Sequence, residues 1–189
     1  MTADEPTAAA RPPLLTVGHG TLTAAALTSL LAGAGVQLLV DVRRFPASRT
    51  HPDLAAASLD TVLPAAGVAY RWDERLGGRR RLPAGTTAED RWWSVDPFRA
   101  YAAHTRTPEF RAALDDLLAA AATRRAAVLC SETVWWRCHR RLIADVVVVT
   151  GRATVMHLGH DGRSAPHRPA DGARLRPDGL VVWDGAPPV

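Results

Sequence analysis

The chain opens with two short apolar segments separated by an amphipathic one, and this order constrains the fold more than any other feature. Residues 14–17 and 36–40 are apolar runs of the length expected for buried strands. Between them, residues 23–32 form a predicted helix, with threonines placed to cap its start and two glycines just beyond its end. Strands joined through a helix by short connections form a βαβ unit, so these two strands are predicted to be parallel.

The same alternation continues along the chain. The further predicted elements are a helix over residues 54–66, a strand over 68–72, helices that begin at Pro97 and Pro108, a strand over 126–129, a helix after Cys138, a strand over 153–158 and a small edge strand over 180–183. We therefore predict one three-layer α/β domain over residues 14–189, with a mostly parallel sheet of about five strands and helices on both faces. Residues 1–13 are predicted to be a disordered lead-in, and residues 159–179 a surface loop.

Composition limits the partners and the location. A length of 189 residues suits one domain, and all 23 basic residues are arginines. The net charge of +4 permits an anionic small molecule or a nucleic acid as a partner. Two cysteines and the lack of a long apolar run indicate a cytoplasmic protein with reduced thiols and no membrane partner. There is no G-x-G-x-x-G fingerprint and no P-loop lysine, which disfavours a dinucleotide site or an ATPase.

Reactive residue types are concentrated directly after the strand over 126–129. Residues 130–141 contain both cysteines of the chain, one glutamate, one histidine, two tryptophans and three arginines. Polar groups beside buried apolar segments each need a partner, so a purely structural explanation for the whole segment is disfavoured.

Polar residues also follow the other predicted strands. They are His19 after the first strand, Asp41, Arg43 and Arg44 after the second, Asp73, Gly77, Gly78 and Arg79 after the third, and Cys130 and Glu132 after the fourth. Parallel strands end at the same edge of a sheet, and ligands bind beyond that carboxyl edge. The sequence therefore predicts a site there.

The arginines favour a phosphate-bearing, nucleotide-like or nucleic-acid-like substrate, because guanidinium groups match phosphate oxygens. The predicted substrate-binding residues are Arg43, Arg44, Arg49, Gly77, Gly78, Arg79, Trp136 and Arg140. Trp72, Trp135 and Trp136 are candidates to stack on a base. Two alternatives stay open: a non-catalytic nucleotide-binding or nucleic-acid-binding module, and a structural role in which the carboxylates only pair with neighbouring arginines.

The predicted catalytic residues are Glu132, Cys130, Asp41 and His19. Glu132 or Asp41 can act as acid, base or nucleophile at a sugar or phosphate centre, as in a hydrolase or transferase. A cysteine nucleophile needs a pKa lowered by a cation or a helix N-terminus. Both cysteines lie in such a context, Cys130 at a strand end and Cys138 beside a histidine at a helix start.

The sequence leaves the cofactor unknown, and a metal ion is the one candidate that its residues suggest. Cys130, Cys138 and His139 are candidate zinc or iron ligands, with His19 and Glu132 as possible additions. Two features disfavour a metal or redox protein. The spacing lacks the compact C-x2-C of zinc sites, and adjacent residues on a helix diverge by about 100°. The histidines at 51, 104, 157, 160 and 167 are interpreted as surface or loop residues, the one at 157 as partly buried.

Four ordered motifs resemble those of the DUF488 family, a set of bacterial proteins of unknown function. They are Gly18-His19-Gly20, the segment 41–49, Leu76-Gly77-Gly78-Arg79, and the segment 130–145 with its Cys130 and its Cys138-His139-Arg140-Arg141. The resemblance covers roughly residues 14–158. It implies that these motifs occur together, and it brings no assigned reaction.

Overall fold

The computed structural model describes residues 12–47, 51–82 and 89–185. Most of the predicted lead-in, residues 1–11, lies outside these described residues, and so does the predicted substrate-binding residue Arg49.

A six-stranded, mostly parallel sheet forms the centre of the molecule, which confirms the predicted α/β class. Its strands are β1 (Leu14–Gly18), β2 (Leu38–Asp41), β3 (Ala69–Trp72), β4 (Ala126–Cys130), β5 (Val155–Leu158) and β6 (Ser164–Pro166). The spatial order is β3-β2-β4-β1-β5-β6, with β1 to β5 parallel and β6 antiparallel to β5. The central strands β1, β2 and β4 are buried along their whole length, as their apolar sequences require.

Five helices cover the two faces of the sheet. They are α1 (Ala24–Gly33), α2 (Ala56–Ala65), α3 (Asp96–Thr105), α4 (Pro108–Ala121) and α5 (Arg140–Val149). Buried leucines of α1 and α2 pack with Leu15 and Val17 on one face. Those of α4 and α5 pack with Leu14 and Val128 on the other, because successive strand residues point to opposite faces. None of the described helices combines the length and apolar content that a membrane span requires.

The sequence predicts helix starts well because their caps are local. The hydroxyl of Thr23 accepts a hydrogen bond from the backbone N–H of Ala26, and the hydroxyl of Thr107 accepts one from Phe110. Each threonine therefore satisfies a backbone donor that the first turn of a helix leaves without a partner.

The segment after β5 is more ordered than the predicted surface loop over 159–179. It contains β6 and β7 (Ala173–Leu175), and the side chains of His167 and Ala170 are buried. The strand predicted at residues 180–183 exists as β8 (Val181–Trp183), but it pairs with β7 in a separate two-stranded sheet and not with the main sheet. Buried Asp90 anchors this unit by accepting hydrogen bonds from the Arg106 guanidinium and the backbone of Trp183.

Candidate functional site

The carboxyl ends of β1, β2 and β4 lie side by side. In the strand register Gly18 is opposite Cys130, and Asp41 is opposite Leu129. The chain stays paired just beyond the strands, since the backbone N–H of His19 donates to the carbonyl of Cys130 at 3.0 Å. The loops after these three strands therefore share one edge of the sheet, as the parallel topology predicts.

Two cysteines and one histidine converge at this edge. The Nδ1 atom of His139 lies 3.6 Å from Sγ of Cys130 and 3.7 Å from Sγ of Cys138. All three ligand atoms lie within 4.8 Å of one another, and both cysteines are buried and reduced. The other ring nitrogen, Nε2, lies 3.2 Å from the carbonyl oxygen of Val42. We call Cys130, Cys138 and His139 the Cys–His cluster.

The local backbone explains why adjacent residues can both join the cluster. Cys138 is extended, with φ −128° and ψ 148°, and it follows a short 3-10 helix over Trp135–Arg137. His139 is the residue before α5. The predicted divergence of about 100° applies to two residues inside a helix. The sequence argument against a shared site is therefore wrong, because Cys138 precedes the helix.

The two cysteines have opposite proton affinities. A hydrogen bond from Cys138 is the main reason that the pKa of Cys130 lies well below its ordinary value, and the charges of His139 and Arg140 lower that pKa further against the effect of burial. Burial raises the pKa of Cys138 well above its ordinary value. Of the two cysteines, Cys130 is therefore the one that loses its proton more readily.

Arg140 lies beneath the loop that connects β4 to the cluster, and not in an open cavity. Its side chain is buried, and it donates to the carbonyl oxygens of Glu132 at 2.5 Å and Thr133 at 2.8 Å. No carboxylate among the described residues forms an ion pair with it, and its Nε atom has no partner. Arg140 holds the loop in place and brings a positive charge close to the cysteines.

A cavity of about 560 Å³ opens in front of the cluster; we call it the edge cavity. Eight of the predicted site residues line it: Arg43, Arg44, Gly78, Arg79, Cys130, Glu132, Cys138 and His139. It shares Phe45, Arg79 and Pro97 with a second cavity of about 960 Å³, which Arg80, Arg81 and Arg99 also line. These volumes are in the range of small-molecule sites.

Three arginines of the edge cavity have no acidic partner in the described part of the chain: Arg44, Arg79 and Arg137. The glycine-rich loop presents Arg79, which is exposed and has φ +55°, the only positive φ at a described residue other than glycine. Such a conformation is strained for an L-residue with a Cβ atom. The other charged residues of the lining are Arg43, which is paired with Asp41, and Glu132, so the cavity has an excess of positive charge.

Asp41 and His19 lie one layer behind the cavity. Asp41 is fully buried, and it accepts hydrogen bonds from the Arg43 guanidinium and from the hydroxyl of Tyr70. Burial and the charge of Asp41 raise the pKa of Tyr70, which keeps that proton in place. Arg43 also approaches His19, whose pKa is lowered mainly by burial. The predicted pairing of Asp41 with Arg43 is thus present, whereas Arg140 contacts the backbone of Glu132 and not its carboxylate.

Glycines let the loops approach each other. A Cβ atom at Gly18 would lie 1.7 Å from the carbonyl oxygen of Glu132. At Gly77 it would lie 2.9 Å from Cα of Arg44, and at Gly78 it would lie 2.8 Å from Nδ1 of His139. Gly77 itself is not part of the cavity lining, so its role is to allow this approach.

The tryptophans lie away from the edge cavity, and an unpredicted phenylalanine takes their place. Trp135 stacks on His157 with ring centroids 4.0 Å apart. Trp136 and Trp72 are exposed but do not line the cavity. Phe45 lines it with 63% of its surface exposed. The signal for Phe45 was its position two residues after Arg43, in the loop that follows β2.

A second polar cluster lies inside the protein, and the sequence analysis missed it. His157 bonds to the hydroxyl of Thr16 at 2.7 Å and to His167 at 2.9 Å, and His167 bonds to the carboxylate of Asp145 at 2.7 Å. We call these four residues the imidazole chain. His157, interpreted as partly buried, is buried in β5, and His167 lies in a loop but is also buried. The interpretation of His104 as a surface or loop residue is wrong, because it is buried in α3. The hydrogen-bond partners of His157 and His167 lie 10 to 141 positions away in sequence.

A protein-family model described as "Domain of unknown function DUF488" matches residues 23–147. No curated protein and no solved structure matches the chain.

Proposed function

We propose, starting from the fact that the chain belongs to the DUF488 family, that it is an enzyme that binds a phosphate-bearing, nucleotide-like substrate in the edge cavity. The reaction takes place beside the end of β4, where Cys130 and Glu132 line that cavity. The family description names no reaction, so the proposal depends on the site alone.

One observation carries the proposal: guanidinium groups without acidic partners and potentially reactive side chains line the same cavity. Arg44, Arg79 and Arg137 approach it from three different loops, after β2, β3 and β4. A dianionic phosphate attracts such groups strongly, because each guanidinium can donate two parallel hydrogen bonds.

The shape of the site favours a mononucleotide-sized ligand. The edge cavity takes one small molecule, and the adjoining cavity extends it along Arg80 and Arg81. Phe45 lies between the two cavities, where its exposed ring can stack on a base. A substrate with phosphate at one end and an aromatic base at the other therefore fits the charge and the aromatic surface.

The reacting groups are those that can form or break a bond to the bound substrate. Glu132 is an exposed carboxylate with no ion pair among the described residues, so it is free to act as a general base. Cys130 is the last residue of β4, and its sulfur is the second candidate reacting group. Asp41 is fully hydrogen-bonded, and we assign it the role of orienting Arg43.

Isothermal titration calorimetry of the metal-free protein with pyrophosphate, AMP and ATP tests binding. We expect binding that weakens about tenfold in Arg44→Gln, since a hydrogen bond to a charged group contributes roughly 1.5–3 kcal/mol. Arg124→Gln is the matched control, because it removes the same charge at an exposed position before β4, at the opposite edge of the sheet. Equal affinity in the two variants, or no binding of any of these anions, contradicts the proposal.

Turnover of the ligands that bind tests catalysis. Phosphate release and chromatography of the products detect hydrolysis or group transfer. We expect Cys130→Ser and Glu132→Gln to bind the anion as the wild type does and to lose turnover. Binding without turnover in the wild type would identify a non-catalytic nucleotide-binding module instead.

A further inference from the structure

We propose that the Cys–His cluster is a zinc site with three protein ligands and a fourth position open to the edge cavity. The inference rests on the proposed function for its role, because the metal would lie where the substrate arrives. With zinc bound, Cys130 would hold the ion, and Glu132 would be the reacting side chain. Its geometry is independent of any substrate.

The two sulfur–nitrogen distances of the cluster match those around a tetrahedral zinc ion. With bonds of about 2.3 Å to sulfur and about 2.05 Å to nitrogen, a tetrahedral angle separates the two ligand atoms by about 3.6 Å. The two Sγ atoms lie 3.6 Å and 3.7 Å from Nδ1 of His139. The third distance, between the two Sγ atoms, is at most 4.8 Å.

The histidine presents the correct nitrogen. The carbonyl oxygen of Val42 can only accept a hydrogen bond, so Nε2 of His139 carries the hydrogen that points to it. Where a metal ion replaces the proton on Nδ1, the lone pair of that nitrogen is directed at the two sulfurs. A backbone carbonyl that fixes the orientation of an imidazole is the usual outer support of a metal-binding histidine.

Gly78 lets the imidazole keep its place in the cluster. A Cβ atom at Gly78 would lie 2.8 Å from Nδ1, 3.0 Å from Cγ and 3.2 Å from Cε1 of His139, which is over the face of the ring. A larger residue would therefore push the ring away from the two sulfurs. Gly78 and all three cluster residues line the edge cavity, so an ion can enter and one coordination position can face the substrate.

The ligand types select the metal and its use. Two sulfur ligands and one imidazole suit Zn²⁺ better than Mg²⁺ or Ca²⁺, which prefer oxygen. Three protein ligands with an open fourth position are typical of catalytic zinc, which polarises a phosphoryl oxygen or a water molecule.

Cobalt substitution of the full chain tests the site. The protein is stripped of metal under reducing conditions and titrated with Co²⁺ and then with Zn²⁺, with no phosphate present. We expect one equivalent of Co²⁺ to give thiolate-to-cobalt charge-transfer absorption and the visible bands of a tetrahedral ion, and Zn²⁺ to abolish both. Cys130→Ser, Cys138→Ser and His139→Asn should each weaken binding by about a hundredfold or more. His160→Asn removes another imidazole of the same sheet edge and should bind as the wild type does.

A second measurement uses only the wild type and so does not depend on how the variants fold. Intact mass after iodoacetamide treatment should show one modification, at Cys130, in the metal-free protein, and no modification with one equivalent of Zn²⁺. Octahedral cobalt spectra, or thiols that Zn²⁺ leaves equally reactive, would overturn the proposal. Because the metal titration contains no phosphate and the calorimetry uses metal-free protein, the zinc site and the anion site can fail separately.

Discussion

The Cys–His cluster and the imidazole chain are both made of buried polar side chains, yet their atoms face different surroundings. In the imidazole chain every ring nitrogen of His157 and His167 has a protein partner, and the Asp145 carboxylate also accepts from the indole of Trp183. In the Cys–His cluster the three ligand atoms contact only one another, with Nδ1 of His139 3.6–3.7 Å from the two sulfurs, and all three residues line an open cavity.

The difference teaches that residue type alone does not indicate a binding site. A histidine–aspartate pair is a familiar catalytic combination, but here all its hydrogen bonds are made inside the protein and nothing remains for a ligand. The cluster at the sheet edge leaves ligand atoms facing an open space, so we assign the binding function there and stability to the imidazole chain.

The largest difference between the imidazole chain and the Cys–His cluster should appear when the Asp145 carboxylate is removed. We expect Asp145→Ala to lower the free energy of unfolding by about 3–5 kcal/mol, because it leaves His167 and Trp183 buried without their acceptor. Denaturant unfolding measures it. Cys130→Ser in the metal-free protein is the counterpart, and we expect a change below about 1 kcal/mol. Equal losses in the two variants would remove the distinction.

Gly78→Ala should disturb the cluster, because the added methyl group would press on the face of the His139 imidazole. The added Cβ atom requires the His139 ring to shift, which costs about 1–3 kcal/mol of folding free energy. We expect Co²⁺ binding to weaken in the same variant, as followed by its absorption spectrum. Gly33→Ala adds the same methyl group where no atom lies within 4 Å. A metal affinity equal to that of this control would contradict the assigned role of Gly78.

The imidazole chain should make stability depend on pH. Burial, and then the charges of His167 and Arg140, lower the pKa of His157 from 6.5 to about 3. Between these values the unfolded chain binds a proton that the folded protein excludes. The free energy of unfolding should therefore fall as pH decreases from about 6.5, by up to about 1.4 kcal/mol per pH unit, and the loss should level off near pH 3.

Urea unfolding over this pH range in wild type and His157→Gln isolates the effect. The glutamine cannot be protonated. The free energy of unfolding of the variant should therefore change less steeply with pH, by the equivalent of up to one bound proton. The pKa values of His19 and His104 are also lowered, mainly by burial, but both residues remain in the two proteins and their contributions cancel. If the free energy of unfolding depends on pH equally in the two proteins, His157 has the same protonation in the folded and unfolded states.

The smallest expected change in stability is that of Arg79→Gly, which tests the backbone strain and the charge of Arg79 separately. Glycine adopts φ +55° without strain, so Arg79→Gly should raise the free energy of unfolding by up to about 1 kcal/mol. The same change removes a guanidinium from the edge cavity and should weaken anion binding about tenfold. Thermal unfolding and calorimetry on one sample measure both. A variant that loses stability and keeps its affinity would contradict both expectations.

The alternation of strands and helices and the shared sheet edge could be predicted because they follow from local patterns. Short apolar runs alternate with amphipathic helices, and parallel strands place their following loops at one edge. This rule placed Arg79 beside Cys130 and Glu132, although it lies far from them in sequence. The caps Thr23 and Thr107 were equally predictable, because each bonds only three residues away.

The sequence could not predict side-chain contacts that depend on a single backbone conformation or that join residues far apart in the chain. The convergence of Cys138 with His139 depends on the extended conformation of Cys138, which no periodicity reveals. Thr16 and His157 bond across 141 positions of sequence. His167 lies in a segment rich in glycine, proline and arginine, so its composition indicated an exposed loop.

The order of the strands also bears on self-association. An uncovered edge strand can add another chain by hydrogen bonding, which leads to aggregation. At β6 the backbone N–H of His167 bonds inward to Val155, so the preceding Pro166 faces outward. Proline has no N–H to donate, and β6 is only three residues long, so this edge is a poor template for a further strand. The short antiparallel strand therefore ends the growth of the sheet on that side.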